Sequence, residues 1–507
     1  MAEAGLKAGE REFFSALDRV VYGNPFSDER TELVRRLVPG ATNATLVADR
    51  EALARLVRPW LQRFSDATVL AQLGTEDRRL VHSGFLYVCY HHHVPPIDEW
   101  IARATGPVDS LAVDRVAQSV VSELAQCAIG PEMAARYFAL FFQLRRAFHF
   151  IVRSLSGDCE SMRRLRRALW DNVFTHDMRT FEAGLWGRME DFSTLLLGET
   201  GTGKGAAAAA IGRSEFIPYL PHKRRFAANF ADSFIAINLS QFPETLIESE
   251  LFGHKKGAFT GAIEQHEGVF ERCNAHGALF LDEIGEVPIP VQIKLLQVLQ
   301  DRTFTPLGSH EKQRFAGRVI AATNRPLDQL RSAGQFRDDF YYRLCSDVIL
   351  VPTLRQRIDE SPQELEDLVG LLVTRIAGPE NAGRAALVME SIARDLPPDY
   401  RWPGNVRELE QAVRRVLLTG RYTGDAASGS AGEEEQLLES MRSGRLSAQE
   451  LLGWYCAMVY RRCGTYAEVA ARTGLDRRTA RKYVADYNAA LRPSAQSTPM
   501  TRASTAQ

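Results

Sequence analysis

A phosphate-binding loop limits the folds open to the centre of this chain. Residues 194–197 form a short, mainly apolar run, and the next segment matches the pattern G-x-x-x-x-G-K: Gly198-Glu199-Thr200-Gly201-Thr202-Gly203-Lys204. In such a loop between a strand and a helix, backbone N–H groups surround phosphates and the lysine reaches the terminal ones. Alternating apolar strands and helices continue over residues 194–351. The sequence therefore predicts an α/β domain with a parallel sheet and a nucleotide site.

A second motif supplies the acids that nucleotide hydrolysis needs. Residues 278–281 have the pattern of a buried strand, which ends in Asp282 and Glu283. Asp282 can hold Mg²⁺, and Glu283 can orient and polarise the attacking water. The alternative is an ordinary core strand with an acidic end. Because Gly205 follows Lys204, the hydroxyl that commonly contacts Mg²⁺ is missing, and we expect the metal to depend more on Asp282.

Between the two motifs lies a hexapeptide with no part in hydrolysis. Its sequence is Gly257-Ala258-Phe259-Thr260-Gly261-Ala262. The glycines permit a sharp reversal, Phe259 offers an exposed apolar tip, and Thr260 offers a hydroxyl. These properties predict a loop that presses on a partner, although a simple flexible turn is the alternative.

These motifs closely resemble those of the AAA+ ATPases that activate transcription by sigma-54 RNA polymerase, the bacterial enhancer-binding proteins. The resemblance runs from about residue 157 to residue 419 and resumes at the C-terminus. It includes the segment that leads into the hexapeptide, Glu248-Ser249-Glu250-Leu251-Phe252-Gly253-His254. The resemblance implies ATP and Mg²⁺ as cofactors and a loop that engages the sigma factor. It also implies self-assembly into a ring, a hexamer, with a dimer as a possible inactive state.

The resemblance assigns roles to two positions at strand ends. Asn238 would be the switch that holds Glu283 inactive until the nucleotide state changes. Thr323 and Asn324, after the apolar run 319–322, would form sensor I. Without the resemblance, Asn238 would be a strand-end cap.

Three arginines are also assigned by resemblance. Arg337 and Arg343 would reach the γ-phosphate in the neighbouring subunit, and Arg407 would be sensor II. A phosphoryl transition state spreads negative charge, so a guanidinium supplied by a neighbour stabilises it and makes hydrolysis depend on assembly. The alternative for Arg337 and Arg343 is a pair of surface charges.

The C-terminal region has the pattern of two helices joined through Gly474. Asp476 suits the N-cap of the second helix, and packing positions recur at Val469, Ala470, Leu475, Ala480 and Val484. The open face of that helix carries Arg477, Arg478, Thr479, Arg481 and Lys482. This pattern predicts a helix-turn-helix that binds DNA, with a solvated basic helix as the alternative, and the resemblance implies that the partner is upstream enhancer DNA. The predicted helix-turn-helix resembles the Fis-like domain that ends proteins of this family.

Composition sets limits on location and partners. The net charge of −1 gives no global attraction to nucleic acid, so DNA affinity must be local. Seven cysteines without CxxC spacing favour reduced thiols over a structural zinc site. The N-terminus lacks a signal peptide's apolar region, and Arg145, Arg146 and His149 interrupt the apolar stretch 137–152. We therefore expect a cytoplasmic protein with no membrane partner.

Residues 1–155 show helical periodicity without a recognised motif, so we predict an all-α regulatory or sensory domain whose signal is unknown. The triplet His91-His92-His93 beside Cys89 suggests a metal site, but successive residues point in different directions on a helix and no second ligand cluster is evident. A polar helix end before Pro95-Pro96 is the favoured alternative. The aromatic helix over residues 131–155 is expected to be core, and to transmit a signal to the ATPase.

The predicted domain boundaries follow composition. They are a helical domain 1–155, an α/β AAA+ core 156–360, a helical lid 361–421, a flexible linker 422–435, a helix-turn-helix domain 436–492 and a disordered tail 493–507. Segment 215–232 is longer than the usual connection in the family, and we expect a solvated loop there. It could also touch a neighbour or DNA.

The sequence as a whole predicts an ATP-hydrolysing transcription activator. It would bind upstream DNA, form a ring, and drive loop 257–262 against sigma-54 RNA polymerase holoenzyme to open promoters. The alternative is a DNA-binding regulator whose AAA+ domain is a nucleotide-gated assembly switch that does not remodel sigma-54. A third class, an AAA+ unfoldase, is disfavoured by the helix-turn-helix.

Overall fold

A computed structural model describes residues 5–38, 46–103, 110–424 and 447–490 of the chain. The chain divides into two compact units, Met1–Tyr422 and Thr423–Gln507. Most of the predicted linker, residues 425–435, and the whole predicted tail 493–507 lie outside the described residues.

The larger unit begins with helices, as the periodicity predicts. They are α1 Ala8–Tyr22, α2 Asp28–Leu37, α3 Leu46–Gln62, α4 Ala67–Ala71, α5 Thr75–Ala102, α6 Ser110–Ala125, α7 Pro131–Ser154, α8 Glu160–Phe174 and α9 Met178–Thr180. The predicted helix end before Pro95-Pro96 is wrong, because α5 continues through both prolines. Ile97, Trp100 and Ile101 beyond them are buried, and this packing offsets the backbone hydrogen bonds that the prolines remove.

A parallel sheet forms the centre of the same unit, which confirms the predicted α/β fold. Its five strands lie in the order β4-β5-β8-β1-β9, with bounds β1 Thr194–Leu197, β4 Phe234–Asn238, β5 Ala278–Asp282, β8 Arg318–Thr323 and β9 Asp347–Leu350. Two short hairpins are β2 Tyr219–Leu220 with β3 Arg225–Phe226, and β6 Thr303–Phe304 with β7 Gln313–Arg314. The flanking helices are α10 Lys204–Gly212, α11 Glu244–Phe252, α12 Val269–Arg272, α13 Ile289–Asp301, α14 Leu327–Ser332 and α15 Asp338–Leu344.

Four helices after the sheet form a lid that begins at Leu354, seven residues before the predicted boundary at residue 361. They are α16 Leu354–Glu360, α17 Gln363–Ala377, α18 Arg384–Asp395 and α19 Asn405–Thr419, and they share a separate apolar core. The lid also holds the segment between α7 and α8. The buried Glu364 carboxylate accepts a hydrogen bond from Cys159 N at 2.9 Å and pairs with Arg357, whose Nη2 donates to Ser156 O at 2.7 Å.

Segment 215–232 is not a solvated loop, so that expectation is wrong. Its hairpin packs against α7, where Phe142 stacks on Phe226 with ring centroids 4.5 Å apart and Phe138 meets Tyr219 edge-on at 5.1 Å. The Tyr219 hydroxyl donates to Asp114 on α6 at 2.7 Å. The aromatic side chains of the segment find partners on α7, and their burial holds the hairpin there. The exposed residues of the segment are the turn 221–225, Ala227 and Asp232.

Helix α7 also contacts the end of α10, the helix that follows the phosphate-binding loop. Arg146 is fully buried and donates to the carbonyl oxygens of Arg213 and Glu215, both at 2.8 Å. Gln143 donates to Ser214 O at 2.9 Å. These carbonyls directly follow the C-terminus of α10, where a cation is favourable. Helices α5 to α8 and the sheet accordingly share one continuous apolar core, whereas α1 to α4 pack around a separate one.

A buried guanidinium joins this region to the sheet. Arg318, at the start of β8, is 2% exposed and pairs with the buried Glu215 at 3.0 Å. Its remaining N–H groups donate to Phe192 O, to Asn172 and to Thr194 Oγ1 at 2.8–3.2 Å. Every nitrogen of the guanidinium therefore has an acceptor.

Within residues 447–490, the smaller unit has three helices around their own core. They are α20 Ala448–Cys463, α21 Tyr466–Thr473 and α22 Arg477–Ala490. Val469, Ala480 and Val484 are buried, while Ala470 and Leu475 pack partly buried against them. All seven cysteines of the chain are unpaired. In the part of the chain that the structure describes, no helix is both long and apolar enough to cross a membrane.

We expect Arg318→Met to lower the free energy of unfolding by about 3–5 kcal/mol, because Glu215 would keep its buried carboxylate without a partner. Unfolding in denaturant, followed by far-ultraviolet circular dichroism, measures the change. The double variant Arg318→Met with Glu215→Leu should recover part of the loss, since it removes both charges. Arg225→Met, on the exposed part of the hairpin, is the control. Equal stabilities of Arg318→Met and Arg225→Met would contradict the assignment.

Candidate functional site

The phosphate-binding loop lies between β1 and α10, in the predicted strand-to-helix position. Lys204 begins α10 and is 7% exposed, and its Nζ donates to Gly198 O at 2.7 Å and to Glu199 O at 3.0 Å. Burial lowers the pKa of Lys204, although the nearby acids oppose this effect. Gly201 has a φ of +80°, and a Cβ there would stand 2.2 Å from Gly404 O in the lid. Only glycine fits that close approach.

Both predicted acids stand at the end of β5. Glu283 has left-handed backbone angles, φ 58° and ψ 46°, and its N–H donates to Asp282 Oδ1 at 3.1 Å. Burial raises the pKa of both carboxyl groups, and the charge of Asp282 adds to the effect on Glu283. Glu283 Oε2 is buried and has no hydrogen-bond partner among the described residues. Such an oxygen fits a site that is completed by Mg²⁺ and a polarised water.

Asn238 pairs in register with Asp282 across β4 and β5. Its Nδ2 lies 3.4 Å from Asp282 Oδ2, and its Oδ1 accepts from Ser240 N at 3.0 Å. The Asn238 side chain thus caps the end of β4, which was the alternative to a switch role, and it also contacts Asp282. The acid within hydrogen-bond distance of the Asn238 amide is Asp282, whereas the resemblance implied Glu283.

The predicted sensor I residues end β8 beside the phosphate-binding loop. Asn324 Nδ2 donates to Thr200 Oγ1 at 2.8 Å. Thr323 Oγ1 accepts from Arg325 N at 3.0 Å and so holds the turn that follows. Asn324 can therefore respond directly to a change in the loop.

The lid reaches the loop through Asn405, which the sequence interpretation missed. Its buried Nδ2 donates to Glu199 Oε2 at 3.0 Å and to Thr200 O at 3.1 Å, and its Oδ1 accepts from Leu354 N at 2.8 Å. The signal was present, because Asn405 stands two residues before Arg407. Its φ of 53° is a conformation that asparagine adopts more readily than most residues.

Arg407 is exposed at the same end of the lid. Within the described residues its guanidinium forms no hydrogen bond or ion pair. The positive charge of Arg407 lowers the pKa of Lys204 and of Asp282, although burial and other nearby groups have larger effects on both. Arg407 therefore lies within electrostatic range of the site. This arrangement leaves a guanidinium available to a phosphate.

The structure does not bring Arg337 and Arg343 to the site of their own chain. Arg337 precedes α15, is half-buried, and pairs with the exposed Asp339 at 2.6 Å. Arg343 is partly buried, and its Nε and Nη2 donate to Leu299 O at 3.0 and 2.8 Å. Arg343 therefore already holds the end of α13, whereas the guanidinium of Arg337 has only an exposed partner.

The hexapeptide forms a closed loop, with Gly257 and Gly261 at φ +79° and +105°. Gly257 N donates to Ala262 O at 2.8 Å, and Thr260 is exposed. The expectation of an exposed Phe259 is wrong. Its ring is half-buried and meets His254 edge-on at 4.9 Å, and His254 is itself held by Ser249 at 2.7 Å. The exposed apolar side chain of this region is Ile263, which is 77% exposed.

The basic face of α22 keeps the predicted arrangement. Asp476 caps the helix, accepting from Arg478 N and Thr479 N at 3.0 Å each. The exposed residues are Arg477, Arg478, Arg481 and Lys482. Thr479 differs, because it is half-buried and its hydroxyl donates to Asp476 at 2.5 Å.

Comparison with known proteins points to the same region of the chain. The family model described as "Sigma-54 interaction domain" matches residues 182–349. The Nif-specific regulatory protein of Azotobacter vinelandii is 41% identical over 246 residues, which are 48% of this chain and 43% of that protein. The sigma54-dependent transcriptional activator SfnR of Pseudomonas putida is 40% identical over 227 residues, which are 45% of this chain and 57% of that protein.

A third relative is the transcriptional regulatory protein ZraR of Escherichia coli K12, 37% identical over 300 residues, 57% of this chain and 62% of that protein. The chain thus spans about half the length of the curated relatives that it matches. A solved structure of NtrX from Brucella abortus aligns with 75% of this chain and 85% of that chain, at 20% identity and a TM-score of 0.39. The match over residues 182–349 includes the two acids, the hexapeptide and the phosphate-binding loop, so this region of the chain is similar to the sigma-54 interaction domain, as the motifs implied.

Proposed function

We propose that this chain is an ATP-hydrolysing transcription activator that binds upstream DNA, assembles into a ring, and remodels sigma-54 RNA polymerase through loop 257–262. One observation carries the proposal. Asn238 contacts Asp282 of the hydrolytic site and also caps the turn 239–241, which leads into α11 and then into the loop. A change at the acids therefore has a short covalent and hydrogen-bonded route to the element that would meet the sigma factor.

The residues of the site take separate parts in hydrolysis. Lys204 would exchange the carbonyls of Gly198 and Glu199 for the phosphates of ATP, which have a stronger attraction for an ammonium group. Asp282 would hold Mg²⁺, which neutralises charge on the phosphates when bound. The unpaired oxygen of Glu283 would accept a proton from the attacking water and orient it.

The lid and the neighbouring subunit complete the site. Arg407 would bind a phosphate of the same chain's nucleotide, and Asn405 would transmit that contact to Glu199 and the loop. Arg337 would leave its exposed pair with Asp339 for the neighbour's γ-phosphate, and such surface pairs contribute little. We expect the ring, a hexamer, to hydrolyse ATP and the isolated subunit to be nearly inactive.

The alternative is a DNA-binding regulator that uses nucleotide only to assemble, without remodelling sigma-54. An assembly switch needs Lys204 and the arginines but has no use for an exposed Thr260 or for a water-orienting Glu283. The similarity to the sigma54-dependent activator SfnR favours the remodelling activity.

Two substitutions separate the loop from the chemistry. Glu283→Gln should lower ATP turnover by roughly 100-fold or more, because the general base is lost. Thr260→Ala should keep ATP turnover yet lose ATP-dependent open-complex formation with sigma-54 polymerase. Gln265→Ala, exposed in the same region but outside the hexapeptide, should keep both activities. If the wild type turned over ATP without forming open complexes, the assembly-switch alternative would be correct.

Mixed rings test the sharing of the site between subunits. Arg337→Ala alone should lower ATP turnover by a factor of about 10³, the lower end of what a transferred guanidinium contributes. Mixing it with the inactive Glu283→Gln variant should restore part of the turnover, since some sites would then combine an intact Glu283 with an intact neighbouring Arg337. The absence of any recovery, in mixtures shown by light scattering to form rings, would contradict the assignment.

The exposed basic face of α22 should bind DNA phosphates. We expect Arg478→Ala to weaken binding to a mixed-sequence duplex and to lower the slope of log affinity against log salt by about 1. Fluorescence anisotropy at several salt concentrations measures both. Arg472→Ala is the control, because Arg472 lies on α21 and pairs with Glu468. Equal salt slopes for the two variants would show that this face does not contact DNA.

A further inference from the structure

Two of the N-terminal helices bring three metal-ligating side chains together. Cys89 and His93 are four residues apart on α5 and therefore share a face of that helix. Glu123 approaches them from α6. The ligand atoms of the three residues all lie within 4.8 Å of one another. The ligand that the sequence did not reveal is thus Glu123, which lies thirty residues after His93 in the chain.

Two of the three ligands are enclosed by protein. Cys89 and His93 are 1% and 5% exposed, and His93 Nε2 lies 3.2 Å from Glu123 Oε2. Buried apolar side chains of α5, α6 and α7 form the core that contains Cys89. An imidazole is costly to bury in such surroundings unless it is paired, and the partner of His93 is the partly exposed carboxylate of Glu123. The convergence of the three side chains at one point therefore calls for a functional explanation.

A fourth ligand and a path for entry are both available. His92 Nδ1 lies 3.1 Å from the same oxygen of Glu123, and the His92 side chain is 57% exposed. The cluster thus extends from the buried Cys89 and His93 to the exposed side chain of His92. Cys127, one turn beyond Glu123, is also buried nearby. Its thiol contacts the backbone carbonyl oxygen of Glu123 at 3.8 Å, and we do not include it among the ligands.

We propose that Cys89, His93 and Glu123 bind one divalent ion of the Zn²⁺ class, with His92 or a water as the fourth ligand. One sulfur, one nitrogen and one oxygen donor suit the tetrahedral coordination of Zn²⁺, whereas Mg²⁺ and Ca²⁺ take oxygen ligands. The ion cross-links α5 to α6. Because α6 also carries Asp114, which accepts a hydrogen bond from Tyr219 of the β2–β3 hairpin, the site is mechanically connected to the ATPase.

Metal content of the full-length protein tests the proposal. The protein is stripped with a chelator and dialysed against ZnCl₂ or CoCl₂ in excess Mg²⁺, and bound metal is measured by elemental mass spectrometry. We expect one ion per wild-type chain. We also expect the cobalt form to show a thiolate-to-cobalt charge-transfer absorption that Cys89→Ser lacks. Glu123→Gln and His93→Gln should each weaken zinc affinity by more than about 100-fold, because even outer-shell partners contribute 10- to 100-fold.

The matched control comes from the same histidine triplet. His91→Gln should bind zinc like the wild type, because the His91 ring packs against Tyr87 with centroids 4.3 Å apart. Circular dichroism and ATP turnover of each metal-free variant verify that it is folded. Glu123→Gln keeps a side-chain oxygen for both histidines and so preserves the local packing. The proposal is overturned if the wild type binds no zinc at this stoichiometry, or if folded Glu123→Gln and His93→Gln bind it as tightly as His91→Gln.

Discussion

The buried pair between Arg318 and Glu215 is the interaction on which the arrangement of the larger unit depends. One guanidinium at the start of β8 holds Thr194 at the start of β1, Asn172 on α8, and the residue with which the 215–232 segment begins. A buried charge is tolerated only where its hydrogen bonds are complete, so these elements have a single compatible arrangement. The far end of β1 carries the phosphate-binding loop. The position of the loop is therefore fixed by contacts at the opposite end of β1.

The N-terminal helices contact both sides of the nucleotide site. On the sheet side, Arg146 of α7 binds the carbonyls at the end of α10, which begins with Lys204. On the lid side, Arg357 and Glu364 bind the segment that connects α7 to α8. A rotation of the lid relative to the sheet must change at least one of these buried sets of bonds. Any preference of these helices between two positions of the lid would therefore be transmitted through these bonds.

The parts of the fold and site that the sequence predicted are those set by local pattern. The phosphate-binding loop, the acids after β5 and the Asp476 cap depend on residues within a few positions of one another. What the sequence could not supply depends on contacts between distant residues. The docking of the hairpin follows from Phe138 and Phe142, and the partial burial of Phe259 follows from its contact with His254. Glu123 could not be paired with Cys89 before the crossing of α5 and α6 was known, and Asn405 contacts Glu199 only because the lid folds back.

The docking of the β2–β3 hairpin on α7 affects the surface properties that a shortened form of this protein would have. Phe226 and Phe230 are covered by α7 through Phe138, Phe142 and Phe150. A chain that began after α7 would expose this aromatic surface to water and would leave the carbonyls of Arg213 and Glu215 without Arg146. Contiguous apolar surface of this kind promotes association between molecules. An isolated ATPase region would therefore differ from the intact chain in solubility and self-association, quite apart from any loss of regulation.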